Sequence, residues 1–182
     1  VVDGTIRFTQ PSAFNDPFEL LPAIAVPKKY KGVKRGEIEL KIHLSAERRS
    51  NPPGRLSEVP EDCEINDGFN RDVVRKLNKI VGILCLSKRD NSHLMWSHYA
   101  DSYSGAVIGF DGKHSFFSNK VNVEYRKKRP IRSEDYYKSE VPIPIAEFYT
   151  KDNCWNYEEE VRITKRLGVC KNIGPDSRNH DI

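Results

Sequence analysis

The chain has 182 residues, 37% of them apolar and 31% charged, with a net charge of +4 at neutral pH. That is the length of one domain with a sizeable core; no run reaches the roughly 18 apolar residues that cross a bilayer, and no signal-peptide pattern opens the chain. The charge is too small to indicate a nucleic acid as partner. Four scattered cysteines (Cys63, Cys85, Cys154 and Cys170, with no Cys-x-x-Cys pair) argue against a disulfide framework or zinc site and for a reduced, cytoplasmic setting.

The opening "VVDGTIRF" reads like the middle of a domain: the end of a helix, a turn at Asp3-Gly4, then a strand over Thr5–Thr9. Residues 1–182 are therefore expected to be a single domain truncated at its N-terminus. After the loop "QPSAFND", Asp16-Pro17-Phe18-Glu19 has the chemistry of a helix start: a capping Asp, Pro at the first position and a carboxylate where the dipole favours one. Asn15 is not explained by that chemistry; its amide is able to bind a neighbouring loop or a ligand. Residues 45–67, rich in Pro, Ser, Gly and charge, are expected to form a polar surface excursion, either disordered or a lid. A helix over 70–80 follows, with Val73, Val74, Leu77 and Ile80 on one face. "VGILCLS", 81–87, suits a strand buried on both faces. "SHLMWSHYA" suits a short helix capped by Ser92 or Asn91. Strands are expected at "AVIGFD" (106–111), "VNVEYR" (121–126), "AEFYT" (146–150) and "EEVRITKR" (159–166). About six strands with few, short helices and no internal repeat favour an α+β fold.

The most informative constellation is "WNYEEEVRIT", 155–164. On a strand, Glu158, Glu160 and Arg162 share one face while Glu159, Val161 and Ile163 share the other. The two carboxylates then stand roughly 6.6 Å apart. Lining a cleft, one stabilises a cationic transition state while the other orients a nucleophile, and Arg162 keeps both ionised. An exposed edge strand with an ordinary charge ladder is the alternative reading of this spacing. In "HLMWSHYA", Trp96 and Tyr99 read first as core anchors, whereas His98 has a ring suited to proton transfer as well as to packing. Ser87 ends the buried "LCLS" strand, where a hydroxyl can face a cleft. "YRKKRP", 125–130, is a basic turn able to hold phosphate. There is no Gly-rich phosphate loop, Gly-x-Ser-x-Gly elbow or His-Glu-x-x-His pair.

Taken in order, "TQPSAFNDPFE", "CLS", "LMWSHYADSYSGAVIGFD", "VEYR" and "WNYEEEVRI" resemble a bacterial family catalogued as domain of unknown function 2971, from Gly4 to about Arg166. Asn15–Glu19 and Met95–Tyr99 are its most specific boxes, and the family carries no assigned function. More distantly, the organisation resembles the ADP-ribosyltransferase fold, a split β structure that holds NAD between two small sheets. That resemblance implies Glu160 as the late-strand Glu that holds the ribose and supports the oxocarbenium-like state, Glu158 as its partner directing the acceptor, and Ser87 as the middle-strand hydroxyl. The first-strand Arg or His of that fold falls before Val1, and Arg7 lies on what aligns as the second strand.

These readings converge on an α+β domain of small split or mixed sheets with an ADP-ribosyltransferase-like cleft. NAD is its expected co-substrate, and a nucleotide-type small molecule its expected partner. Glu160, Glu158 and His98 are the candidate catalytic residues; Asn15, Ser87, Tyr99 and Arg162 are the candidate NAD-binding residues; no metal site and no membrane partner are expected. The acceptor is open, and a role in phage defence or toxin-type conflict suits such a bacterial domain. Two alternatives stand beside it. One is a non-enzymatic module that binds a nucleotide or phosphorylated ligand through Arg126–Arg129 and the aromatic helix. The other is a metal-dependent nuclease using Asp16 and Glu160, although the chain has Glu-Val-Arg where such enzymes prefer Glu-x-Lys.

Overall fold

The structure is a computed structural model that describes residues 5–14, 16, 19–20, 22–30, 42–43, 55–133, 143–144 and 149–170. Its strands, in chain order, are β1 (Ala23–Pro27), β2 (Ile42–His43), β3 (Arg55–Leu56), β4 (Cys63–Ile65), β5 (Val81–Ser87), β6 (Val121–Asn122), β7 (Glu124–Arg126), β8 (Ile131–Ser133), β9 (Ile143–Pro144), β10 (Thr150–Asp152) and β11 (Glu160–Arg166). Two α-helices, α1 (Asp67–Leu77) and α2 (His93–Tyr99), and several short 3-10 turns complete the described elements. The strands form four small sheets, ordered β3-β8-β1-β4, β5-β11-β6, β10-β7 and β2-β9. The mixed α and β composition agrees with the sequence. The strands are more numerous and shorter than six, because most of them pair over only two or three residues.

The sheet that positions the site is β5-β11-β6. β5 and β11 pair antiparallel along their whole length, from Val81 opposite Arg166 to Ser87 opposite Glu160. Alternation along β5 sends Val81 and Ile83 into one core with Leu20, Ile24, Val26, Val73, Leu77, Val121 and Tyr149. Leu84 enters a second core on the other face with Phe117 and Ile163, against which Leu86 packs. The continuous apolar run is thus buried on both faces only through Leu84; Cys85 is exposed, Leu86 and Ser87 are half-buried, and the cleft begins there.

α1 runs Asp67–Leu77, three residues earlier at each end than the 70–80 expected, and its Val73 and Leu77 are buried as the 3.6-residue period requires. α2 starts at a Ser92 cap whose hydroxyl accepts from the Met95 amide, but it buries none of its residues, so Trp96 and Tyr99 are not core anchors. Trp96 instead donates its ring N–H to the Asp90 carbonyl at 2.7 Å.

Several expected elements differ. Thr5–Thr9 makes one isolated bridge, Thr9 with Ile83, rather than a strand. At the expected helix start the described residues form a turn: the Glu19 amide bonds the Asp16 carbonyl at 3.0 Å, and Leu20 takes a φ of 76°. Residues 106–111 are exposed and belong to no sheet, although their apolar, β-branched composition suits one. "VNVEYR" splits into β6 and β7, which join different sheets. Of the 45–67 excursion, 45–54 lie outside the described residues and the remainder carries β3 and β4. Of "AEFYT", 146–148 lie outside them too, and the strand there is Thr150–Asp152. No helix among the described residues is long and apolar enough to cross a membrane.

Gly82 marks a close approach of the Phe8 segment to β5. A Cβ there would sit 2.7 Å from Phe8 Cβ and 3.1 Å from Leu167 Cδ2, whereas one at Gly109 would meet open space. Gly82→Ala is therefore expected to destabilise the fold by about 1–3 kcal/mol. Gly109→Ala should change stability by less than about 0.5 kcal/mol. The shift in urea midpoint for the two variants checks the pair.

Candidate functional site

Because side chains on paired antiparallel strands share a face with their cross-strand partners, Glu160 and Arg162 of β11 stand beside Ser87 and Cys85 of β5. This face forms the floor of a cleft of about 360 Å³, walled by Phe14, Met95, Tyr99 and Trp155 and bordered by Asp16 and Glu19. Glu158 reaches it by a different route from the one expected. It is not on the strand: it ends a 3-10 turn (Asn153–Glu158) that Asp152 caps by accepting from the Cys154 amide. Glu159 then adopts a left-handed conformation, φ 43°, which lets consecutive elements deliver Glu158 and Glu160 to the same cleft. Arg89 holds Glu159 outside, with Nε 2.6 Å from its carboxylate.

The floor is a buried charge network. Lys151, on β10 and 7% exposed, donates to Glu158 Oε2 at 2.6 Å and to Glu160 Oε2 at 3.3 Å, and its Nζ lies 3.7 Å from Glu19 Oε1. Arg162, fully buried, forks onto Glu160 with Nε to Oε1 at 2.7 Å and Nη2 to Oε2 at 2.8 Å, and it pairs with Glu19 as well. Its guanidinium lies over the Phe14 and Tyr149 rings, 5.1 and 5.8 Å from their centroids. The Tyr99 hydroxyl donates to Glu158 Oε1 at 2.7 Å. The Glu160 amide donates to the Tyr125 hydroxyl at 2.7 Å. Trp155 lies under Lys151, with Nζ 4.9 Å from the ring centroid.

Ionisation follows from this packing. Burial raises Glu160 above the ordinary carboxylate range, while Lys151 pulls the other way. Burial works to lower Lys151, but Glu160 and Glu158 outweigh it and hold the ammonium above its usual value. Burial pushes Arg162 down to about 9, with Asp16 opposing the shift, so the guanidinium is still charged at neutral pH. Tyr99 rises through desolvation and its bond to Glu158, and desolvation pushes Tyr125 up to about 12. Cys85 is accessible at the cleft surface yet densely surrounded by protein, and desolvation and the Glu160 charge raise its thiol above the ordinary value.

Of the residues singled out in the sequence, Glu160, Glu158, Arg162, Ser87 and Tyr99 come together in the cleft. The Ser87 hydroxyl is occupied in stitching the chain: it donates to the Glu158 carbonyl at 2.7 Å and accepts from the Arg89 amide at 2.9 Å. His98 does not line the cleft; it stacks on Tyr157, with centroids 6.5 Å apart, and meets Trp155 edge-on at 6.3 Å. Asn15 lies outside the described residues. The basic turn pairs Arg126 with Glu124 and Arg129 with Asp67, away from the cleft lining. Among the described residues no group of three or more His, Cys, Asp or Glu side chains is arranged to hold a metal ion. Lys151, Glu19, Phe14, Trp155 and Cys85 are site residues that sequence reasoning missed. The alternation of Tyr149 with Lys151 is the only trace of the ammonium's inward direction.

The model of the family DUF2971, described as a protein of unknown function, matches residues 95–163. That span holds most of α2, strands β6 to β10 and the first half of β11, and with them Lys151, Glu158, Glu160 and Arg162; it is narrower than the span from Gly4 that the sequence motifs led us to expect. No curated protein and no solved structure matches the chain.

Removing the ammonium leaves Glu19, Glu158 and Glu160 against a single guanidinium. Lys151→Met is expected to cost about 3–5 kcal/mol at pH 7.5. Without Lys151 the burial that already raises Glu160 is less opposed, so its folded pKa rises further above its unfolded value. An acid raised in this way stabilises the fold at low pH and loses that contribution as pH climbs through the folded pKa. The deficit of the variant against the parent should therefore shrink as pH falls from 7.5 to about 4.5, as read by urea denaturation at the two pH values.

Proposed function

We propose that the cleft binds a nucleotide-type small molecule, NAD in the first instance, and that the chain is an ADP-ribosyltransferase-like enzyme cleaving its N-glycosidic bond. The observation that carries this reading is the charge of the lining: Asp16, Glu19, Glu158 and Glu160 against Lys151 and Arg162, four carboxylates to two cations. Breaking a bond between ribose and a cationic ring develops positive charge at the sugar, and a surplus of fixed carboxylates in a secluded cleft stabilises it. Glu160 is held in one orientation by the Arg162 fork, and Glu158 by Tyr99 and Lys151, so neither has to reorganise as charge develops. The cationic ring and its ribose suit the acidic floor; the pyrophosphate of the same substrate is repelled by it and stays toward the mouth.

A second reading has its own support. Every oxygen of Glu158 and Glu160 already has a partner, which favours a cleft that binds a nucleotide without turning it over. The same saturation counts against a nuclease, since a hard cation needs free carboxylate oxygens.

Titration of the chain with NAD, with released nicotinamide followed by chromatography, separates these readings. Glycosyl transfer predicts nicotinamide release that falls about a hundredfold or more in Glu160→Gln, with the far-ultraviolet circular dichroism of the variant unchanged. Binding of NAD without release supports the module, and neither binding nor release sinks both.

A further inference from the structure

The apolar segment Ala106–Phe110 runs without turn or bend and is exposed along its whole length. Among the described residues, no backbone N–H or C=O of the segment has a hydrogen-bond partner. Val107, Ile108 and Phe110 stand 50%, 58% and 44% exposed, and no charged side chain intervenes between Asp101 and Asp111. The segment is nevertheless fixed at both ends. Asp101, Ser102 and Tyr103 all take left-handed backbone, with φ of 46°, 51° and 74°, a costly run for side chains of this kind. The Tyr103 hydroxyl holds that turn by donating to the His93 carbonyl at 2.9 Å, and the Gly105 amide by donating to the Ala100 carbonyl at 2.8 Å. At the other end the Phe110 ring lies 5.6 Å from Phe117 of the second core, and the Asp111 carboxylate accepts from the Lys113 amide.

Strain of this kind persists where surrounding contacts impose it, and here it delivers a β-branched edge with its hydrogen-bonding groups open. Exposed edges of folded proteins are ordinarily blunted by lysine, proline or an inward charge. Ala106–Phe110 has none of these. We propose that the segment is a dimerisation edge, pairing antiparallel with the same segment of a second copy of this chain about a two-fold axis at Ile108.

The segment is self-complementary in that register. Ile108 meets the partner's Ile108, Ala106 meets the partner's Phe110, and Gly109 meets the partner's Val107. A Cβ at Gly109 has nothing within 4 Å, so there is room for that valine. Alternation puts Ala106, Ile108 and Phe110 on one face, and the two copies build one apolar stripe that continues from Phe117. No carboxylate faces another: Asp111 meets the partner's Gly105, and the turn at Asp101 comes to the end of the segment where the partner's Lys113 stands. Two-fold contacts of this isologous kind are the commonest in homo-oligomers. The paired area is small beside the roughly 1,200–2,000 Å² of a standard interface, so the dimer is weak and forms as concentration rises.

The inference is independent of the proposed function, since none of Ala106–Phe110 lines the cleft. Sedimentation equilibrium of the chain is expected to show monomer–dimer exchange with a dissociation constant on the order of 100 μM. Ile108→Lys sets two ammonium groups against each other at the axis and should weaken dimerisation about tenfold or more. Ile108→Glu should do the same with two carboxylates. An equimolar mixture of the two variants should regain the dimer, because lysine then faces glutamate. Far-ultraviolet circular dichroism checks that each variant keeps the fold. In the unaltered chain, hydrogen exchange at the amides of 106–110 should slow as the chain is concentrated from about 5 μM to about 500 μM. A chain still monomeric at about 1 mM, a dimer that both variants keep, or a mixture no more dimeric than either variant alone would each overturn the edge. Exchange at 106–110 that does not change with concentration would overturn it as well.

Discussion

Lys151 places an ammonium ion among Glu158, Glu160 and Glu19 in a region that water scarcely reaches, and the arrangement of the cleft depends on that contact. Each of these charges, taken alone out of water, costs several kcal/mol. The set is tolerable because its geometry is nearly complete: a forked Arg162–Glu160 pair, a Tyr99 bond to Glu158, and aromatic rings flanking the guanidinium. The network ties the turn at Glu19 to three consecutive elements more than a hundred residues later, strand β10, the 3-10 turn ending at Glu158, and β11. An apolar cluster of the same volume could hold these pieces with less desolvation, so their polarity points to use as well as to stability.

What that polarity can do follows from its imbalance. The cations fix the carboxylates in place without cancelling them, and the surplus negative charge faces a cleft walled by aromatic side chains. Such a surface favours positive charge, whether carried by a ring or developing at a sugar, and it disfavours phosphate. The basic turn at 126–129, which looked suited to phosphate, spends Arg126 and Arg129 on Glu124 and Asp67. The acidic lining and the raised Cys85 thiol also argue against thiolate chemistry at this site.

Much of the site was legible where local pattern and tertiary environment agree. The run 81–87 and the alternation of Glu160, Val161, Arg162 and Ile163 gave both central strands and their faces, because β5 and β11 pair over seven residues. Legibility failed where backbone reversals intervene. Glu158 was placed beside Glu160 by strand spacing, whereas it arrives from a 3-10 turn through the left-handed Glu159, a conformation that no propensity of Glu suggests. Glu19 read as the carboxylate of a helix start; the described residues form a turn that sends it inward to Lys151 and Arg162. Lys151 itself had little signal beyond its spacing from Tyr149, since a lysine on a three-residue strand is ordinarily solvated. His98 had the right chemistry, but its neighbours Trp155 and Tyr157 take it as a stacking partner outside the cleft.

The short contact of Lys151 Nζ with Glu158 Oε2, 2.6 Å, allows a direct test of the network's cooperation. A double-mutant cycle of Lys151→Met and Glu158→Gln, read by urea unfolding at pH 7.5, isolates the coupling between them. The account predicts a coupling of about 1–3 kcal/mol, with the double variant more stable than the sum of the single losses allows. Additivity within about 0.3–0.5 kcal/mol would contradict it, and would mean that the buried charges stand side by side without holding the cleft together.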